Sequence, residues 1–234
     1  MSRITRKELK SDKFALAVEH TVPFFEEHQQ EIIRYGAIAL AAVALIVGYW
    51  VYRNHQHAAR EEALAQAIRV QEAPAGGISG NGGLAFPTQE AKDVEATRVF
   101  TDLQAKYPGS SEGQIAQYYL SCIKADQGKM AEAEKGFQQV AQNGDTQYAS
   151  LAKLSLAQIY FSDGRNTQAE AMLRDLMAHP TPFVSKDQAT LMLARYMAIK
   201  NPAEARKLLD PLRTVPGTVG QVALTMYGEL PPTK

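Results

Sequence analysis

His55 and His57 are the first residues of this 234-residue chain whose types and spacing could do chemistry. On a helix a separation of two turns the imidazoles about 200° apart, so they cannot share one metal without distortion. They read as polar residues at an interface. His20, His28 and His179 are scattered, and no H-E-x-x-H, G-x-S-x-G or C-x-x-C is present. Cys122, the single cysteine, stands among Tyr118, Tyr119, Leu120 and Ile123 with no histidine nearby in sequence, which is the setting of a small core residue. Gly80, Gly82 and Ala85 fit G-x-G-x-x-A, but no strand precedes them and no ribose-binding acid follows, so they read as linker. Glu132, Glu134, Lys135, Glu170, Arg174, Glu204 and Arg206 fall at solvent-type helical positions and read as a wetted surface. No catalytic residue, metal site or cofactor is expected, and the chain reads as a non-enzyme.

With 45% apolar residues the chain can build a sizeable core, and its 25 basic and 25 acidic residues cancel. Nucleic acid would ask for a basic surplus clustered on one face, so it is not an expected partner. One thiol makes no internal disulfide and leaves the redox compartment open.

Between Arg34 and Arg53 lie 18 uncharged residues, Tyr35 to Tyr52. At 1.5 Å per helical residue they reach about 27 Å, close to the thickness of a bilayer core. Ile32 and Ile33 extend the apolar run, and Tyr49, Trp50 and Tyr52 crowd one end as interfacial aromatics do. Every face is apolar, and no other stretch is long enough to surround such a helix inside a soluble domain. A cleaved signal peptide would start closer to its apolar core, whereas 34 mixed-charge residues precede this one, so a retained single-pass anchor is expected.

Orientation depends on how charges are counted. The tail holds six basic residues (Arg3, Arg6, Lys7, Lys10, Lys13, Arg34) against three (Arg53, Arg60, Arg69) in the twenty after the span, which places the tail inside. Counting only twenty residues on each side reverses this, but the tail is short enough for all its charges to act, and export of a large C-terminal part is insensitive to charge. Ala37, Ala41, Ala44 and Gly48 form a small-residue stripe on which a second membrane helix could dock. Alanine is also simply common in moderately hydrophobic anchors, so both readings, self-association among them, stay open.

The expected organisation is a tail with an interfacial helix (1–34), a transmembrane helix (35–52), a first solenoid helix (53–72), a Gly/Pro-rich loop (73–88) and a repeat domain (89–230). In the tail Phe14, Val18, Val22, Phe24 and Phe25 are apolar, and Pro23 is expected to interrupt any helix. Ala58 to Glu72 reads as a helix ending at Pro74, and Pro74, Gly76, Gly77, Gly80, Gly82, Gly83 and Pro87 mark the loop.

Beyond residue 88 the chain repeats itself every 36 residues. Gly128 and Gly164 share a column, with Lys200 in the third place, and Ala133, Ala169 and Ala205 share the next. Phe137, Leu173 and Leu209, then Val140, Leu176 and Leu212, follow at the same interval, and Pro180 and Pro216 close two units. Two antiparallel helices must approach at a small residue, present large apolar groups four and seven positions on, and stop at a proline or glycine. Upstream, Ala96, Phe100, Leu103 and Pro108 fit the second helix of an earlier unit, giving about three and a half units, and Val219 to Leu230 reads as a terminal capping helix. The fold class is all-α: one N-terminal transmembrane helix followed by an α-solenoid.

Leu156, Ala157, Tyr160, Gly164, Ala169, Leu173, Leu176 and Pro180 carry a resemblance to the tetratricopeptide (TPR) family, although Lys124 stands in its tyrosine column and Leu193 in its small-residue column. That resemblance implies a protein-binding solenoid whose concave face is built from first helices. The matching columns make a candidate partner groove of Ile115, Tyr118 and Cys122, then Leu151, Leu154 and Gln158, then Asp187, Thr190 and Ala194. Packing against neighbouring helices is the alternative at each position. The lysines and asparagines with which some TPR domains clamp a terminal carboxylate are missing from these columns.

The order of parts, including Asp12-Lys13-Phe14 in the tail, is similar to the YfgM-like family, ancillary subunits of the bacterial SecYEG translocon. That similarity implies an inner-membrane protein with a cytoplasmic N-terminus and a periplasmic repeat domain, partnered by the translocon and by periplasmic chaperones. The segment Phe100 to Leu120, with Tyr107-Pro108-Gly109-Ser110, also resembles TPR units of envelope proteins in outer-membrane assembly and cell division, which supplies an alternative role.

Overall fold

The computed structural model describes residues 6–77 and 83–231, with side chains described at 30, 33–77 and 83–231. Gly80, Gly82, the Asp12-Lys13-Phe14 side chains, the apolar tail side chains and those of His20 and His28 lie outside the described residues. The described chain is all-helical, and its only extended pairing is an isolated parallel bridge between Ala75 and Phe86.

Helix α1 runs Arg6–Glu72, continuing through Pro23 where an interruption was expected. A proline ring fixes φ near a helical value and removes one donor, a loss a long helix absorbs when the turns on either side remain bonded. The chain forms two compact units, 1–58 and 59–234. In the first, every residue from 33 to 55 is exposed. The apolar stretch within Ile33–Glu72 is long and apolar enough to cross a membrane, and none of it is buried within the chain. Ala37, Ala41, Ala44 and Gly48 are exposed with the rest, and an added Cβ at Gly48 would meet nothing within 4 Å.

In the second unit the last turns of α1 pack Ala67 and Val70 against Ala96, Phe100 and Leu103 of α2 (Gln89–Lys106) and Ala116 and Ile123 of α3 (Ser111–Asp126). The Gly/Pro-rich connection between α1 and α2 is pinned at its mouth, where Gly76 N donates to Phe86 O and Phe86 N to Pro74 O, each at 3.0 Å. Arg60 also reaches the buried Glu112 at the start of α3, at 3.7 Å.

The following hairpins are α3 with α4 (Met130–Asn143), α5 (Thr146–Ser162) with α6 (Asn166–Ala178), and α7 (Lys186–Lys200) with α8 (Pro202–Leu209). Each helix packs on its neighbours in sequence, as in a solenoid. The repeat columns Ala133, Ala169 and Ala205, Phe137, Leu173 and Leu209, and Val140, Leu176 and Leu212 are all buried.

Local chemistry explains where the hairpins turn. Ser110, Asp145 and Ser185 cap α3, α5 and α7 by accepting from backbone N–H groups of the first turn. Helices α4 and α6 have no such side-chain cap and follow tight turns in which Gly128 and Gly164 take φ of +76° and +77°. At the third turn, where Lys200 replaces glycine, no left-handed residue is needed: Asn201 caps α8 through Glu204 N at 3.3 Å, and Pro202 occupies the first turn. Pro211 then tightens the chain into a 3-10 segment, Asp210–Thr214, that still buries Leu212.

The last helix, α9 (Thr218–Glu229), is fastened by arginines. Arg206 and Arg213 both lie over the Tyr227 ring, 4.9 and 4.2 Å from its centroid, and Arg206 also donates to the carbonyls of Leu230 and Pro231.

Candidate functional site

A helix of a stacked hairpin must bury one stripe against each neighbour, and what remains on the first helices lines a trough. On α5 half-buried Leu151 and Ser155 and exposed Gln158 and Ser162 form a helical stripe at spacings of four, three and four. Leu154 turns inward and is 8% exposed. Thr190 and Ala194 of α7 are likewise buried, the Thr190 hydroxyl donating to Lys186 O at 2.8 Å. From Leu151 a step of three or of four stays on a helix face, but the step of three reaches buried Leu154 and the step of four reaches half-buried Ser155, which lines a pocket. Ile115, Tyr118, Cys122 and Asp187 are half-buried, as is Leu151, and Gln158 is exposed.

The trough consists of adjoining pockets. One of about 290 Å³ is lined by Cys122, Asp126, Ser155, Gln158 and Ser162, among others. Gln158 is shared with a pocket of about 470 Å³ spanning α5, α7 and α9, whose walls include Phe161, Leu191, Met192, Tyr196 and Met226. Phe161 stacks on Tyr196 and stiffens this end. Methionines in such a wall are adaptable and polarisable, which suits contact with more than one apolar shape. Sequence reasoning missed Leu191, Met192, Arg195, Tyr196 and Ile199, although Leu191 and Arg195 stand one residue after the chosen columns Thr190 and Ala194 and Met192 and Tyr196 two after.

Aromatic contacts form a run beside the trough. Tyr119 stacks on Phe100 with centroids 4.8 Å apart, Tyr118 meets Tyr148 edge-on at 5.5 Å, and Tyr148 meets Phe183 at 5.4 Å. Burial pushes the Tyr118 and Tyr148 phenols above their ordinary range. Burial likewise raises the Cys122 thiol to about 11, so near neutral pH it is protonated and weakly nucleophilic. His55 and His57 are both exposed, and among the described residues no three His, Cys, Asp or Glu side chains gather into a metal site.

Several charges that read as wetted surface instead tie hairpins together. Arg165 Nη1 and Nη2 donate to the two Glu134 carboxylate oxygens at 2.6 and 2.7 Å, and its guanidinium lies 4.0 Å from the Tyr160 ring centroid. This hydrogen-bonded guanidinium holds the Glu134 carboxyl below the usual carboxylate range. Arg174 bridges Glu170 to Glu204 of the next hairpin, while Lys153 holds Asp175 at 2.7 Å within the α5–α6 hairpin. The partners stand 22 to 31 residues apart, a separation that a helical-face pattern does not reveal.

The family described as a tetratricopeptide repeat-like domain matches residues 23–178, about two thirds of the chain. No curated protein and no solved structure matches it.

Proposed function

We propose, from the premise that this chain belongs to the tetratricopeptide repeat-like domain family, that it is a membrane-anchored scaffold holding other proteins at the bacterial envelope. One observation carries the reading. The chain combines an apolar helix that none of the described residues covers with an interaction fold whose trough stands open. Apolar side chains left in water over such a length are strongly disfavoured, and a bilayer relieves that cost. The trough supplies what a partner segment needs, large apolar walls with a few polar groups for orientation.

The similarity to the YfgM-like family supports a finer reading. The helix is fixed in the inner membrane with the N-terminus cytoplasmic, and the periplasmic repeat domain links the Sec translocon to chaperones that receive exported chains. The likeness of Tyr107-Pro108-Gly109-Ser110 to outer-membrane assembly and division proteins favours, as a second reading, an adaptor for those complexes.

Affinity capture of the full chain from native membranes in a mild detergent tests both. Translocon subunits and periplasmic chaperones are expected in the eluate. Division or outer-membrane assembly proteins in their place would support the second reading, and bait alone, under conditions that keep other membrane complexes whole, would refute both.

A further inference from the structure

The end of a solenoid is where the stacking rule leaves a face uncovered. A terminal helix that closes an array needs a polar outer face to remain soluble. The outer face of helix α9 is mixed: Thr218, Gln221 and Thr225 are exposed, but so are Val222 and Leu224, and no charged residue stands on it before Glu229. Beside it Ile199 of α7 is 90% exposed. Ile199, Val222 and Met226 line both the 470 Å³ pocket and an adjoining one of about 490 Å³. The second pocket places Arg195 on its α7 wall and Glu229 on its α9 wall. Neither side chain has an ion-pair partner among the described residues.

A surface with one unpaired cation, one unpaired anion and apolar groups between them is its own complement under a two-fold axis. Residue i of one copy then meets residue j of the other, and the contact is made twice. We propose that the α7–α9 end of the repeat domain pairs with the same end of a second copy, Arg195 of each facing Glu229 of the other across Ile199 and Val222. The charge pattern argues for a second copy over a foreign segment, because Arg195 and Glu229 complement each other across copies and no charge is needed from outside. This surface differs from the small-residue stripe of the anchor. It also goes beyond the scaffold reading, since foreign-partner capture can fail while self-pairing stands, and the reverse.

The test is disulfide trapping of the full chain in its native membrane. Cys122 is first replaced by serine, and single cysteines are introduced as Val222→Cys or, on the outer face of α4, Lys135→Cys. Mild oxidation is expected to yield a homodimer from the Val222→Cys protein and only monomer from the Lys135→Cys protein. In the Val222→Cys background, Arg195→Glu or Glu229→Arg alone is expected to cut the dimer yield about tenfold, because like charges then face each other. The double exchange, Arg195→Glu with Glu229→Arg, is expected to restore most of it, and that recovery also shows that the single variants fold. Equal dimer from both cysteine positions, a cross-link from Val222→Cys to a different polypeptide only, no cross-link, or a double exchange that stays low would each overturn the proposal.

Discussion

Phe100→Ala is expected to destabilise the first hairpin by about 3–5 kcal/mol, the range for deleting a buried aromatic ring. Phe100 is fully buried in the cluster formed by Ala67, Val70, Leu103, Ala116 and Ile123, and its ring stacks on Tyr119 with an interplanar angle of 10°. The glycine-rich connection contributes two backbone hydrogen bonds at its mouth, so the hairpin relies on this cluster to join α2 to the last turns of α1. A solenoid unit touches only its neighbours, and the loss should stay local. Hydrogen exchange on the full chain in detergent should show amides of Gln89–Lys106 exchanging about a hundredfold faster or more, at roughly 1.4 kcal/mol per decade. Amides of α7 should be unchanged. Acceleration of equal size in α2 and α7 would mean that the array opens as a single cooperative block.

Gly136→Ala should cost about 1–3 kcal/mol, through overpacking and not through a cavity. A Cβ at Gly136 would fall 2.1 Å from Ser121 Oγ and 2.5 Å from Gln117 Nε2. Ser121 is 1% exposed and its hydroxyl is engaged with Gln117 O at 2.7 Å, so it has little room to withdraw. The same columns hold Ala157 with Met172, and Leu193 with Leu208, so the small-on-small approach belongs to this hairpin alone. Removing the hydroxyl should relieve part of the collision, making Ser121→Ala with Gly136→Ala less damaging than the sum of the two single changes. Denaturant midpoints of the four proteins measure this. Strict additivity would show that helices α3 and α4 part freely at this point.

The array was legible because its columns are physical necessities repeated at one interval. Ala133, Ala169 and Ala205 sit where helices touch, and each is fully buried. Lys200 takes the third place in the glycine column, and there the structure turns the chain with the Asn201 cap and Pro202. The candidate groove was less legible. Leu154 and Ser155 are both one helical step from Leu151, and which of them faces open space depends on how the next hairpin lies, something a single helix does not encode. The roles of Arg165 and Arg206 were hidden for a related reason. Their partners, Glu134 and the carbonyls of Leu230 and Pro231, stand 31, 24 and 25 residues away, and only the stacked fold brings them within hydrogen-bond distance. Pro23 shows the opposite error, in which a local rule was applied where a long helix absorbs the missing bond.

The central claim is that the trough formed by first helices holds another protein. A photo-reactive amino acid at Gln158, an exposed position shared by two of its pockets, tests this in living cells, with the same group at Lys135 of α4 as control. Irradiation should give a product heavier than the chain by a second, different polypeptide from Gln158, and nothing comparable from Lys135. Equal labelling from both positions, or a Gln158 protein that remains uncross-linked while still anchored and folded, would contradict the account.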